Sequence, residues 1–130
     1  MKKLLVNLDF DGVLIPNDFE EELFHNGEMR MDIDDYTKMV LDSPIPPLNF
    51  DLLKLFANNM DKYVLRLWTN RNLELQKNTV KNLGIFKNIF DSFHFHGGEK
   101  KHSKVEGVVI DNNPKYLSCG EVGGILYKFN

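Results

Sequence analysis

The sequence predicts an α/β fold: a three-layer α/β/α sandwich around a mostly parallel five-stranded sheet, with a small insertion after the first strand. Two observations predict it. Short apolar runs of strand length (Leu4 to Val6, Tyr63 to Trp68, Val108 to Ile110) alternate with segments whose apolar residues recur at helical spacing. Each of these runs also ends in a small polar cluster, as strands of an open parallel sheet do where they face a ligand.

Leu4-Leu5-Val6 suits a buried parallel strand. It leads to two carboxylates one residue apart, Asp9 and Asp11, and to Gly12, where the chain can leave the sheet in a tight turn. Residues 13–47 form an insertion, too long for a βα loop of about 2–6 residues, and are expected to be a small cap or lid on a single domain spanning 1–130. Within it, a helical piece is expected from Asp18 through Phe24, closed by Asn26-Gly27. A second is expected over 33–41, with Ile33, Tyr36, Met39 and Val40 on one face. Ser43-Pro44-Ile45-Pro46-Pro47 ends the insertion.

A helix starting at Asn49 or Asp51 would turn Leu52, Leu53, Phe56 and Met60 inward. Tyr63 to Trp68 is the second strand, ending at Thr69-Asn70-Arg71. A helix over 72–83 is closed by Gly84, and a third strand runs near 92–96. The loop 97–104 carries Lys100, Lys101 and Lys104. Val108 to Ile110 is the fourth strand and ends at Asp111-Asn112-Asn113-Pro114; a short helix over 114–117 and a strand over 125–129 complete the pattern.

The 130 residues suffice for one domain with a real core, and 42% hydrophobic with 27% charged residues is ordinary for a globular protein. The net charge of −3 gives no general footprint for nucleic acid or an anionic membrane. One cysteine, Cys119, excludes an internal disulfide and a Cys-based zinc site. No apolar run has the length of a membrane span, and Met1-Lys2-Lys3 leads into too few apolar residues for a signal peptide; the expected compartment is the cytoplasm.

Two adjacent carboxylates repel unless a cation lies between them. Asp9 therefore reads as a nucleophile or metal ligand beside an acid/base, Asp11; taken alone, the stretch equally fits a solvated acidic turn. The joint pattern is more specific. Asp9-Phe10-Asp11-Gly12-Val13, the LWTN strand end with Thr69, a loop lysine, and Asp111 closing VVIDNNP together resemble the haloacid dehalogenase-like phosphohydrolases. The tail from Asp111 to Asn130 is similar to the 5′(3′)-deoxyribonucleotidase branch, except that Asn112 stands where the branch has an acid.

The resemblance implies a Rossmann-like sheet and a Mg²⁺-dependent phosphatase working through an aspartyl-phosphate, with a (deoxy)nucleoside monophosphate as the expected substrate. Asp9 would be the nucleophile, Asp11 the acid/base, and Asp9, Asp111 and the backbone carbonyl of Asp11 the metal ligands. Thr69, Asn70, Arg71 and a lysine would hold the phosphate; Lys101 fits the branch best, with Lys100 and Lys104 as alternatives. Sugar phosphates, phosphorylated nucleic-acid ends and a catalytically silent binding module are the competing readings. No membrane partner is expected, and both monomer and homodimer fit. His94 and His96 read as edge-strand residues, and Trp68 and Cys119 as core.

Overall fold

The first strand, β1 (Leu4–Leu8), becomes more buried along its length and ends with Val6, Asn7 and Leu8 inaccessible to solvent. The computed structural model describes residues 2–16, 24–25, 28–29, 32–99 and 104–129, with side chains outside 24–29. β1 is the centre of a five-stranded sheet. The other strands are β4 (Tyr63–Thr69), β5 (Phe90–Phe95), β6 (Val108–Asp111) and β7 (Gly124–Leu126), in the order β5-β4-β1-β6-β7. Every pairing is parallel. The expectation was a mostly parallel sheet; the observed one is parallel throughout, as short apolar strands separated by helical connections require.

Register places the strand ends together. Leu8 pairs with Leu67 on one side and Ile110 on the other. The Asp9 amide donates to the Ile110 carbonyl at 3.0 Å, which carries the ladder one step beyond β1. Asn7, in the middle of the sheet, donates through Nδ2 to the carbonyls of Glu106 at 2.8 Å and Val108 at 3.2 Å. That pairing offsets much of the cost of a buried amide in a strand otherwise built from apolar residues.

Between β1 and the first long helix lie β2 (Phe24–His25) and β3 (Glu28–Met29), an antiparallel pair, and helix α1 (Ile33–Leu41). The helical piece expected to run through Phe24 is therefore not seen at its described end, where Phe24 pairs with Met29; the rest of that expectation, from Asp18, lies outside the described residues. α1 is capped by Asp32, whose side chain accepts from the amides of Asp34 and Asp35. It packs Tyr36 and Val40 against Leu75.

Helix α2 (Phe50–Ala57) starts at Asn49, which caps Leu52 through Oδ1 and donates through Nδ2 to the Val13 carbonyl at 3.0 Å. The helix buries Leu53 and Phe56 in the main core with Val6, Leu8, Leu14 and Leu65. Each such side chain contributes about 1.5–3 kcal/mol. Met60, expected on the same face, is 43% exposed because α2 ends at Ala57 and Met60 lies in the following turn. The expected helix over 72–83 divides into a 3-10 turn (Leu73–Leu75) and α3 (Gln76–Leu83), closed by Gly84 at φ 59°. A 3-10 segment (Pro114–Cys119) follows β6 with proline in its first turn. Among the described residues no helix is long and apolar enough to cross a membrane.

Candidate active site

Because β1 lies between β4 and β6, the polar ends of three strands meet at one edge of the sheet. Asp9 and Asp11 follow β1, Thr69 ends β4 and Asp111 ends β6. All four are nearly inaccessible: Asp9 is 2%, Asp11 4%, Thr69 0% and Asp111 0% exposed. Buried carboxylates in this number demand compensation, and the surrounding loops supply part of it.

The turn after β1 is tightly wound. The amides of Val13, Leu14 and Ile15 all point at the Phe10 carbonyl, and Gly12 donates to Ile15 O at 2.9 Å. Gly12 has φ +86°, and a Cβ built there would stand 2.4 Å from Asn112 Nδ2. Glycine is thus required twice, for the left-handed backbone and for the approach of Asn112. The same contact places Asn112 beside the Asp9–Asp11 loop. Asp111 Oδ1 accepts from the Asn113 amide at 2.9 Å, which orients the carboxylate at the strand end.

Arg71 is the residue whose environment the sequence concealed. Its guanidinium is 1% exposed. Nε donates to Asp11 Oδ2 and Nη2 to Asp11 Oδ1, both at 3.0 Å, as a two-pronged fork. Nη1 donates to Thr79 Oγ1 on α3 at 3.0 Å, and the guanidinium carbon lies 4.5 Å above the Phe10 ring. Tyr36 of α1 also hydrogen-bonds the group. Burial alone lowers the Arg71 pKa; Asp11 and Tyr36 raise it, and the balance lies above the ordinary value. From the sequence Arg71 is expected to contact the substrate phosphate; in the structure its donors face Asp11, Thr79 and Tyr36.

Thr69 Oγ1 accepts from the Arg71 amide at 3.1 Å, and the Thr69 carbonyl accepts from the His96 amide at 2.9 Å. Asn70 donates through Nδ2 to the Tyr116 hydroxyl at 2.8 Å, so its side chain is tied to the segment after β6. Gly97 and Gly98 donate their amides to the carbonyls of Arg71 and Asn70. These bonds fix the start of the lysine-bearing loop beside Thr69. Lys100 and Lys101 lie outside the described residues; Lys104 donates to the Ser118 carbonyl at 3.2 Å.

The expected last strand reaches the site edge as well. After β7 the chain continues along the same edge: Tyr127 donates its amide to Asp111 O at 3.0 Å and Phe129 to Gly12 O at 2.8 Å. The Tyr127 hydroxyl accepts from Asn49 Nδ2 at 2.8 Å. β7 proper is Gly124–Leu126, shorter than and offset from the strand expected over 125–129. Of the anchors around Arg71, Thr79 carries no local signal and Tyr36 reads only as a core position. A charged arginine two residues after a strand end facing two acids was the available clue.

The hard oxygen donors that would hold Mg²⁺ are the carboxylates of Asp9 and Asp111 and the backbone carbonyl of Asp11. They fit the ion by chemistry, two carboxylates and one carbonyl being hard oxygen donors, while the Asp11 carboxylate itself is held by Arg71. Among the described residues no set of three or more His, Cys, Asp or Glu side chains could hold a metal, and this donor set needs only two. An open depression lined by Lys3, Met60, Tyr63 and Phe90 lies at the opposite ends of the strands, away from these groups.

No protein-family model matches the sequence, and no curated protein matches it. Among solved structures the chain is similar to a hydrolase, the haloacid dehalogenase-like family protein SP0104 from Streptococcus pneumoniae. The likeness has a TM-score of 0.53 at 13% identity and covers 90% of this chain and 79% of that one. The strand order, the parallel pairing and this likeness together give the chain a haloacid dehalogenase-like α/β fold.

Proposed function

We propose that this chain is a Mg²⁺-dependent phosphomonoesterase acting on (deoxy)nucleoside monophosphates through an aspartyl-phosphate. The observation that carries the reading is the adjacency of β4, β1 and β6, which brings Thr69, the Asp9/Asp11 pair and Asp111 to one sheet edge. A carboxylate oxygen of Asp9 attacks phosphorus, and the bond from phosphorus to the leaving oxygen breaks. Asp11 delivers a proton to that oxygen and the alcohol departs. Water then attacks phosphorus, Asp11 takes its proton, and the bond to Asp9 breaks to release inorganic phosphate. Thr69 and nearby amides hold phosphoryl oxygens, and Lys101 supplies a compact positive charge. When bound by Asp9, Asp111 and the Asp11 carbonyl, Mg²⁺ neutralises charge on the phosphoryl group and on the carboxylates.

The nucleotide preference rests on the tail from Asp111 to Asn130, which resembles the deoxyribonucleotidase branch. Residues 13–47 act as a small cap, and the chain works in the cytoplasm as a monomer or homodimer. Phosphate release from nucleoside monophosphates, sugar phosphates and end-phosphorylated oligonucleotides, with and without Mg²⁺, tests the reading. Nucleotides should be preferred and Asp9→Asn should be inactive. An active Asp9→Asn protein, with deamidation excluded, removes the nucleophile assignment; preference for another substrate class removes the nucleotide assignment alone.

A further inference from the structure

We propose that Arg71 is a positioning residue that aims the catalytic acid Asp11, and that helix α1 of the insertion is built into this support through Tyr36. The inference rests on the reading of Asp11 as the acid of phosphate-ester hydrolysis. Its basis is geometric. A guanidinium fork that donates to both oxygens of one carboxylate fixes its plane as well as its distance. Asp11 follows Phe10 in a turn, where a short side chain would otherwise sample several rotamers. Each carboxylate oxygen has a second lone pair, so the fork leaves one site per oxygen for the proton that is passed on.

The fork is itself held from separate parts of the chain. Thr79 grips Nη1 from α3, Phe10 supports the guanidinium face, and Tyr36 reaches it from α1. α1 is kept in place by its packing against Leu75 and by Asn72 Nδ2 donating to Asp34 Oδ1 at 3.2 Å. Through Tyr36 the insertion therefore supplies one hand of the clamp on the acid. A stability role alone explains this poorly. A buried ion pair is often no more stabilising than well-packed apolar residues of the same volume.

The test separates alignment of the acid from general damage. An aryl ester with a weakly basic leaving oxygen, p-nitrophenyl phosphate, needs little protonation; an alkyl ester, β-glycerophosphate, needs much. The full-length protein with Mg²⁺ is assayed on both, as wild type, Tyr36→Phe, Thr79→Val and Arg71→Lys. Misaligning a general acid should lower kcat/KM, which stops at departure of the leaving group, by roughly 10-fold or more on the alkyl ester and about twofold or less on the aryl ester, whereas kcat also contains the water-activation step that both esters share. Arg71→Lys should be the most affected, because an ammonium cannot reproduce the fork. If Arg71→Lys does not fold by circular dichroism, the two milder variants decide the matter. Equal losses of kcat/KM on both esters, or unchanged kcat/KM ratios in the folded variants, overturn the inference. A wild-type protein without activity on either ester overturns the acid reading together with it, whereas an active wild type with unchanged ratios overturns the positioning role alone.

Discussion

Gly12→Ala probes the turn that carries Asp11. Its new Cβ would stand 2.4 Å from Asn112 Nδ2, 2.5 Å from Cγ and 2.9 Å from Oδ1, at a backbone φ of +86°. A left-handed backbone costs an L-residue roughly 1–2 kcal/mol. Moving Asn112 aside sacrifices its present contacts, about 1 kcal/mol for a typical hydrogen bond. The sum, about 2–3 kcal/mol, is a large share of the roughly 5–15 kcal/mol of a small domain. Urea unfolding of wild type, Gly12→Ala, Asn112→Ala and the double variant closes a cycle. Because the three nearest atoms belong to the Asn112 side chain, Asn112→Ala should relieve the clash but not the φ strain. The double variant should then be more stable than the sum of the single effects by about 1 kcal/mol. Strict additivity would show that residue 12 does not meet Asn112 and would undo the placement of the fourth strand's end beside the Asp loop.

Gly107→Ala should cost more than Gly12→Ala, because its Cβ would lie 2.2 Å from the Leu5 carbonyl oxygen and backbone cannot step aside; a smaller urea-midpoint loss contradicts this. His94 has a pKa below its ordinary 6.5, from partial burial first and then Arg66, against the pull of Asp91. The unfolded chain therefore takes up the proton first, so stability is lost as pH falls below the ordinary value and through the folded one. His94→Gln should flatten that acid-side slope in urea midpoints, and an unchanged slope refutes the assignment. Asn112→Asp adds a charge beside Asp111 and should lower the Mg²⁺ concentration for half-maximal activity, whereas Asp111→Asn should nearly abolish the Mg²⁺ response; an unmoved midpoint in Asn112→Asp means the position is not coupled to the ion.

What could be read from the sequence were features encoded locally. Apolar runs with polar ends marked β1, β4 and β6, and Asn49 and Gly84 marked helix ends by their own chemistry. The Asp9–Asp11 pair and Asp111 stood out because carboxylates at strand ends are costly without a purpose. The Arg71–Asp11 pairing did not, because the partners are 60 residues apart and no local pattern records which cation meets which acid. Tyr36 showed its apolar helical spacing but not the polar use of its hydroxyl. Phe24 reads as helical because Asn26-Gly27 reads as a helix end, but the same dipeptide is also a hairpin signal, and Phe24 pairs with Met29.

The central position of β1 has a consequence for how the protein is made. β1 is synthesised well before β6, one of its two neighbours, and Asn7 bonds to a carbonyl 99 residues later. At translation rates of about 5–20 residues per second, β1 waits about 5–20 s for that side to close. Throughout that interval Val6 and Leu8 flank an open strand edge, the kind of surface that holdase chaperones cover and neighbouring nascent chains can mispair with. Asp9 and Asp111 meet only when the gap is closed. Any chemistry at this edge therefore begins with the completed sheet, and a ribosome-bound fragment ending before β6 would carry Asp9 and Asp11 without Asp111.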